Sequence, residues 1–296
     1  MSTTPVEPKD PRDRGPKPEY PQDKIAPPGT EAEMTPTADH GEDTYVGSGQ
    51  LRDRVALITG GDSGIGRAVA IAFAREGADV VISYLSEEKD AQDTARFVTD
   101  AGRRALAIPG DISDEAHCRQ LVQRTVDEFG RIDLLVNNAA FQRTYGGIDE
   151  IPSEEWDYTF RTNIYAMFYL CKAALPHMKP GAAIINTSSI QSYQPSSSLL
   201  AYATTKGAVT NFTKALAEEV AEKGIRVNAV APGPIWTPLI PSTMPEEKVK
   251  NFGKDTPLGR AGQPAELAPV YVLLASQAAS YITAQIYGVT GGRPLI

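Results

Sequence analysis

The chain has 296 residues, 41% hydrophobic and 22% charged, a composition typical of a globular protein with a large core. Its net charge of −8 disfavours a nucleic-acid-binding protein, because phosphate neutralisation requires clustered lysine and arginine. Two distant cysteines, Cys118 and Cys171, and three scattered histidines predict neither a disulfide scaffold nor a metal site. No apolar run reaches about 18 residues and none follows Met1, so we predict no membrane span and no signal peptide.

The composition of residues 1–50 predicts an extended, proline-rich arm. They hold nine of the 23 prolines, and ten acids against five bases give them −5 of the net charge. X-Pro steps disfavour helix and favour extended backbone, so we expect residues 1–17 to be a disordered tail. Residues 18–50 are expected to lie against the domain or a neighbouring subunit, because they carry apolar side chains, namely Tyr20, Ile25, Met34, Tyr45 and Val46.

Residues 51–296 alternate between short apolar runs and longer segments of helical periodicity. The predicted strands are 54–59, 79–84, 104–109, 132–136, 182–187, 225–231 and 285–289. The predicted helices are 65–77, 87–102, 114–130, 153–178, 200–223 and 264–276, with Ser153 as the N-cap of the longest. This alternation predicts an α/β fold, a single domain with a Rossmann-type doubly wound parallel sheet of seven strands.

The glycine-rich segment TGGDSGIG, residues 59–66, joins the first predicted strand to the first helix. Glycines allow a tight turn and close approach of a pyrophosphate to the free N–H groups of the helix N terminus. The alternative is a plain turn, but the position at the carboxyl end of a parallel strand favours a phosphate loop. Its predicted cofactor-binding residues are Gly60, Asp62, Ser63, Gly64, Ile65 and Gly66.

Residues after the second and third strands bear on the choice of nucleotide. Tyr84 stands where an acid would hold the ribose 2′-hydroxyl of NAD, and neither Ser63 nor Leu85 supplies a base for the 2′-phosphate of NADP. The negative charge of Asp62 disfavours a further phosphate, so the sequence favours NAD and leaves NADP open. Asp111 could accept from the adenine amino group, or could be an ordinary turn residue.

Tyr202 and Lys206 lie at i and i+4 of a predicted helix, which brings their side chains to one face about 5–6 Å apart. A phenol with its pKa lowered from about 10 to near 7 could exchange a proton with an alcohol or carbonyl, which requires about 4 kcal/mol of phenolate stabilisation. A nearby ammonium and an oxidised nicotinamide could supply it. The motif alone is equally compatible with a surface pair, and Tyr20 and Lys24 repeat its spacing in the arm.

Ser189 lies thirteen residues before Tyr202 and follows a predicted strand, at the same edge of the sheet as the phosphate loop. Its hydroxyl could orient a substrate carbonyl; Ser188 is the alternative. Asn163 lies within a predicted helix, where asparagine is a poor helix former, and could hold a proton-relaying water or simply be a satisfied helical residue.

These motifs, with GDI at 110–112, NNAA at 137–140 and PGPIWT at 232–237, resemble the single-domain branch of the short-chain dehydrogenase/reductases from residue 54 to residue 292. The resemblance implies that Tyr202 is the general acid/base, Lys206 the ribose ligand, Ser189 the substrate orienter and Asn163 the water holder. It also implies a set of cofactor contacts: Ile112, Asn138, Ala139, Pro232, Gly233, Ile235 and Thr237. Ala140 departs from the usual glycine.

The expected function is that of an NAD(P)-dependent oxidoreductase, which transfers a hydride between the cofactor and the alcohol or carbonyl of a small, apolar substrate. A lid over residues 236–262 should supply Trp236 and other apolar side chains. The alternatives are a non-catalytic dinucleotide-binding regulator and a sugar-nucleotide epimerase or dehydratase. The proline-rich arm resembles the general-stress-protein type of bacterial oxidoreductase, which implies a cytoplasmic homotetramer.

Overall fold

A computed structural model describes residues 9–21 and 23–296. Seven parallel strands form one sheet in the order β3-β2-β1-β4-β5-β6-β7, which confirms the predicted fold. The strands are β1 Val55–Thr59, β2 Asp79–Tyr84, β3 Ala105–Pro109, β4 Leu134–Asn137, β5 Ala183–Thr187, β6 Arg226–Pro232 and β7 Ile286–Val289. Because β1 pairs with both β2 and β4, the strand order reverses there and opens a crevice at the carboxyl edge.

Helices cover both faces of this sheet, because its strands are apolar on both sides. They are α1 Gly64–Arg75, α2 Glu88–Asp100, α3 Glu115–Phe129, α4 Ser153–Phe160, α5 Ala166–Ala174, α6 Leu200–Val220, α7 Leu239–Thr243, α8 Glu246–Lys250 and α9 Ala268–Ala275. One buried cluster joins the sheet to α1, α2 and α9, and another joins it to α3, α5 and α6. Among the described residues, no helix is both long and apolar enough to cross a membrane.

The predicted helix over residues 153–178 is interrupted. A π-helical turn, Arg161–Tyr165, separates α4 from α5, and a 3₁₀ turn follows α5. The side chain of Asn163 in that turn exchanges two hydrogen bonds with the backbone of Phe141, which is a tertiary contact that helical periodicity does not reveal. Pro152, not Ser153, is the N-cap, because the backbone of Ser153 is already helical.

The arm lies along the domain with short 3₁₀ turns at Pro11–Asp13 and Glu31–Glu33. Where the sequence predicted a disordered tail, the carbonyl of Pro11 accepts hydrogen bonds from the buried guanidinium of Arg260 at 2.6 and 2.8 Å. The rest of that prediction, residues 1–8, lies outside the described residues. Tyr20, Ile25 and Met34 are buried against the chain's own domain.

Candidate active site

A cleft of about 630 Å³ opens at the carboxyl edge of the sheet, beside the crevice between β1 and β4. The structure brings most of the predicted site residues to its wall: Gly60, Asp62, Ser63, Gly64, Ile65, Tyr84, Asp111, Ile112, Asn138, Ala139, Ser189, Tyr202, Lys206, Pro232, Gly233, Ile235 and Thr237. Gly66 and Asn163 do not line this cleft. The sequence therefore predicted the location of the site, while the contacts of individual residues differ from the prediction.

The phosphate loop turns between β1 and α1 with left-handed backbone at Gly60, φ +60, and Gly64, φ +50. Gly66 lies behind the loop: a Cβ there would come within 1.8 Å of the carbonyl oxygen of Gly60. Its role in the structure is thus the close packing of α1 on the loop rather than contact with the cleft. Asn138 supports the same turn, since its amide donates to the carbonyls of Thr59 and Gly60 at 3.1 and 3.2 Å.

The nucleotide end of the cleft is more acidic than the sequence indicated. Glu87, just after β2, lines the wall and lies close enough to Asp62 to raise the pKa of that carboxyl further. Burial is the largest cause of that shift and raises the pKa of Asp62 to about 7, so this carboxyl is only partly ionised near neutral pH. The sequence prediction missed Glu87 because it followed the chain after β2 only as far as Leu85.

Asp111 keeps both of its predicted roles open. Its carboxylate accepts from the backbone N–H of Ser113 at 2.8 Å, which is the contact of an ordinary turn residue. The residue nevertheless lines the cleft next to Ile112.

Tyr202 and Lys206 share one face of α6, as their spacing predicted, with the ammonium nitrogen 5.4 Å from the centre of the phenol ring. Lys206 is buried and donates to the carbonyl of Thr187 at 2.7 Å. Ser189, just after β5, accepts from the N–H of Gln191 at 3.1 Å and lines the cleft. The alternative Ser188 is tied elsewhere: its hydroxyl contacts those of Ser192 and Thr210, each at 2.8 Å.

Burial disfavours the charged forms of both Tyr202 and Lys206. It raises the pKa of the Tyr202 phenol to about 12, against a weaker effect of the Ser189 hydroxyl, and lowers the pKa of Lys206 to about 7. The lowered phenol pKa predicted from the sequence is therefore not a property of the polypeptide alone. Desolvation of the phenolate outweighs the hydrogen bond that would stabilise it.

Asn163 faces a second, much smaller cavity of about 10 Å³ that also reaches Lys206. Its amide is occupied by the backbone of Phe141 and by the hydroxyl of Thr205. Two buried polar atoms in the cavity wall, Asn137 Oδ1 and Thr162 Oγ1, have no partner within the described residues. A polar cavity of this size has room for about one water molecule.

The lid differs from the prediction at Trp236. This side chain is buried and stacked on Tyr20 of the arm, with ring centres 4.2 Å apart, and its indole N–H donates to the carbonyl of Pro36. Trp236 therefore packs behind the lid and does not line the cleft. The apolar wall of the cleft comes from Phe141, Leu199, Leu239, Ile240, Met244 and Phe252, and Gln142, Gln191, Lys248 and Arg293 add polar groups that the sequence did not predict.

Comparison with known proteins agrees with this geometry. The family model described as Enoyl-(Acyl carrier protein) reductase matches residues 60–293. A short-chain dehydrogenase from Burkholderia cenocepacia, solved in complex with NADP, superposes with a TM-score of 0.77 at 31% identity, covering 82% of this chain and 98% of that one. This chain belongs to the short-chain dehydrogenase/reductase family. It is an NAD(P)-dependent oxidoreductase.

Other members of the family cover nearly the whole chain, including the arm. Uncharacterized oxidoreductase YhdF of Bacillus subtilis is 55% identical, over 96% of this chain and 98% of that protein. General stress protein 39 of the same organism is 52% identical, over 90% and 93%. The NADPH-dependent aldehyde reductase 1, chloroplastic, of Arabidopsis thaliana is 50% identical, over 92% and 96%. The likeness to the general-stress-protein type is thus confirmed.

Proposed function

We propose that this enzyme reduces small aldehydes or ketones, or oxidises the corresponding alcohols, with Tyr202 as the proton donor and acceptor. The observation that carries the proposal is the common position of Ser189, Tyr202 and Lys206 on one wall of a cleft that also contains the phosphate loop. The relative named as an aldehyde reductase supports the same substrate class. The apolar wall around Phe141 suits a small carbon skeleton.

The glycine loop suits a dinucleotide, because Gly60 and Gly64 allow close backbone approach that a side chain at either position would hinder. When bound, the nicotinamide supplies or accepts the hydride. Lys206 would bind its ribose, Asn138 and Ala139 support the loop, and the segment from Pro232 to Thr237 would lie beside the ring. A positively charged nicotinamide would also lower the phenol pKa, which burial raises.

Ser189 is the group in this arrangement that would donate to the substrate carbonyl, and Tyr202 would then protonate the developing alkoxide. Asn163 would hold a water molecule in the small cavity, from which protons could reach Lys206. The two unpartnered oxygens of Asn137 and Thr162 support that water position.

The test is a spectrophotometric assay at 340 nm with NADH or NADPH and a panel of aldehydes and ketones. We expect turnover with both cofactors and a preference for NAD below about 100-fold, equivalent to less than about 3 kcal/mol. A protein that binds a nucleotide but turns over no carbonyl would favour the non-catalytic regulator instead. The epimerase alternative has less support, because the loop spacing differs from TGxxGxxG.

We also infer a homotetramer in the cytoplasm. Tyr165 and Phe168 of the helical segment beside α4 are 41% and 46% exposed, and such large apolar side chains suit a subunit interface. Cys118 and Cys171 are buried free thiols, which suits a reducing compartment. Multi-angle light scattering tests the assembly; a monomer peak for the full-length chain would contradict it.

A further inference from the structure

The carboxylate of Glu31 lies at the N terminus of α1, although Glu31 belongs to the arm. Its Oε1 accepts a hydrogen bond from the N–H of Gly64 at 2.6 Å, and the residue is only 8% exposed. Gly64 begins α1 and is one of the two left-handed positions of the phosphate loop. A helix N terminus attracts anions because its first N–H groups have no intrahelical partner. The arm therefore supplies an anion to the element that the proposed function assigns to the pyrophosphate.

His40 holds this carboxylate in place and neutralises it. The same Oε1 of Glu31 lies 2.9 Å from Nε2 of His40, and Nδ1 of His40 lies 2.8 Å from Oε1 of Glu42. Burial disfavours the imidazolium, but the two carboxylates outweigh burial and raise the pKa of His40 to about 9. The Glu31–His40 pair is thus ionised at neutral pH, and together with the Glu42 carboxylate the three groups carry one net negative charge.

A second set of contacts fixes the backbone of the same residue. The N–H of Glu31 donates to Oδ2 of Asp90 at 2.8 Å, and Asp90 lies 3.3 Å from the guanidinium of Arg67. Arg67 in turn donates to the carbonyl of Asp62 in the phosphate loop at 2.8 Å. Glu31 is therefore held at both its backbone and its side chain by elements that surround the loop.

The carboxylate lies behind the loop, outside the cleft. Gly64 and Ile65 line the cleft wall and Glu31 does not, so the N–H of Gly64 points toward the arm. The first intrahelical bond of α1 runs from Arg67 N–H to Ser63 O. The N–H of Ile65, which lines the cleft, precedes that bond and is left for an external anion.

We propose that Glu31 is a positioning residue of the dinucleotide site: it holds the N–H of Gly64, fixes the left-handed turn and so directs the N–H of Ile65 toward the cofactor pyrophosphate. The proposal rests on the proposed cofactor site and adds the arm to it. It makes cofactor affinity depend on a residue 33 positions before Gly64.

Direct titration of the full-length protein with NADH and with NADPH, followed by fluorescence, tests the proposal. Glu31→Ala should raise Kd at least tenfold for both nucleotides, because the pyrophosphate is common to them. Glu31→Gln keeps an oxygen for Gly64 and should stay within about threefold of wild type. The loss should appear in Kd and in the cofactor KM rather than in kcat at saturating cofactor.

Glu33→Ala is the matched control, because Glu33 belongs to the same 3₁₀ turn, is exposed, and caps only Thr30 of the arm. It should leave Kd within twofold. Equal Kd values for wild type and Glu31→Ala, or an equal loss in Glu33→Ala, would overturn the positioning role. A wild-type protein that binds neither nucleotide would overturn the proposed function instead.

Should Glu31→Ala fail to fold, Glu31→Asp replaces it. Aspartate keeps the charge but is one methylene shorter, so it withdraws the oxygen from Gly64 and should lose affinity while Glu31→Gln keeps it. The reverse pattern would mean that charge rather than position matters, and would also overturn the proposal.

Discussion

Two clusters of titratable groups lie near the phosphate loop, and desolvation has opposite outcomes in them. At Tyr202 and Lys206 burial dominates and favours the neutral forms, with pKa values of about 12 and about 7. At His40 and Glu42 hydrogen-bonded partners outweigh burial, and the pKa values of about 9 and about 2 favour the charged forms.

The partners explain the difference. Lys206 donates to a neutral carbonyl, that of Thr187, which does not compensate a buried charge, whereas His40 lies between two carboxylates. Groups kept neutral by burial can change charge when a charged ligand arrives, and this suits proton transfer. Groups that are already paired resist such a change, and this suits attachment of the arm.

The largest expected effect tests the proton-transfer side of this comparison. Tyr202→Phe keeps the ring but removes the transferable proton, so kcat should fall by at least about 100-fold while cofactor Kd changes by only a few-fold. Steady-state assays and nucleotide titration measure the two quantities. Retention of more than about a tenth of wild-type turnover would mean that Tyr202 is not the acid.

The next effect tests the attachment side through pH. Because the pKa of His40 is raised from 6.5 to about 9, its ion pairs stabilise the fold fully below pH 6.5, and this stabilisation is lost as pH rises through 9. The rise in the His40 pKa corresponds to a loss of folding free energy on the order of 3 kcal/mol. Thermal unfolding should show Tm falling between pH 7 and 9.5 in wild type but not in His40→Gln. Parallel curves for the two proteins would show that the pair does not stabilise the fold.

Lys206→Met should have a smaller effect than the two preceding substitutions. It should weaken cofactor binding and change the pH dependence of the rate. Loss of the proposed ribose contact should raise cofactor Kd about tenfold, or about 1.4 kcal/mol. Without an ammonium near the phenol, the pH–rate profile for alcohol oxidation should shift to higher pH, because deprotonation of Tyr202 becomes harder. An unchanged Kd together with an unchanged profile would refute both roles.

The smallest effect concerns the acidic nucleotide end. Glu87→Gln removes a charge from the cleft wall and should increase the NADPH/NADH ratio of kcat/KM about threefold, since less repulsion meets the 2′-phosphate. Asp93→Asn is the control: Asp93 lies in α2, the helix that Glu87 caps, but is paired with Lys89 at the surface, so the ratio should stay unchanged. Equal ratios in wild type and Glu87→Gln would place the 2′-phosphate away from Glu87.

The sequence predicted the seven-stranded parallel sheet and placed most of the proposed site residues that share the cleft, because both depend on local pattern. Alternating apolar runs define β1 to β7, and the spacing of Tyr202 and Lys206 on α6 is a property of one helix. The position of Ser189 near the phosphate loop was predictable for a similar reason, because residues that follow parallel strands meet at one edge of the sheet.

Contacts between distant segments could not be predicted in this way. The apolar side chains of residues 18–50 indicated that this part of the arm is docked, but not which residues it meets: Glu31 reaches Gly64, and Tyr20 stacks on Trp236, because the arm folds back over the domain. Spacing also does not report the desolvation that raises the pKa of Tyr202 to about 12 in the polypeptide alone.

The π-helical turn at Arg161–Tyr165 has an evolutionary consequence. It inserts one residue into what would otherwise be a continuous helix, and Ala166 N–H bonds to the carbonyl five residues back instead of four. Deleting one residue there would restore ordinary geometry but rotate everything before it by about 100° relative to α5. Asn163 would then leave its cavity and Thr159 its buried position. A one-codon deletion in this helix should therefore be selected against.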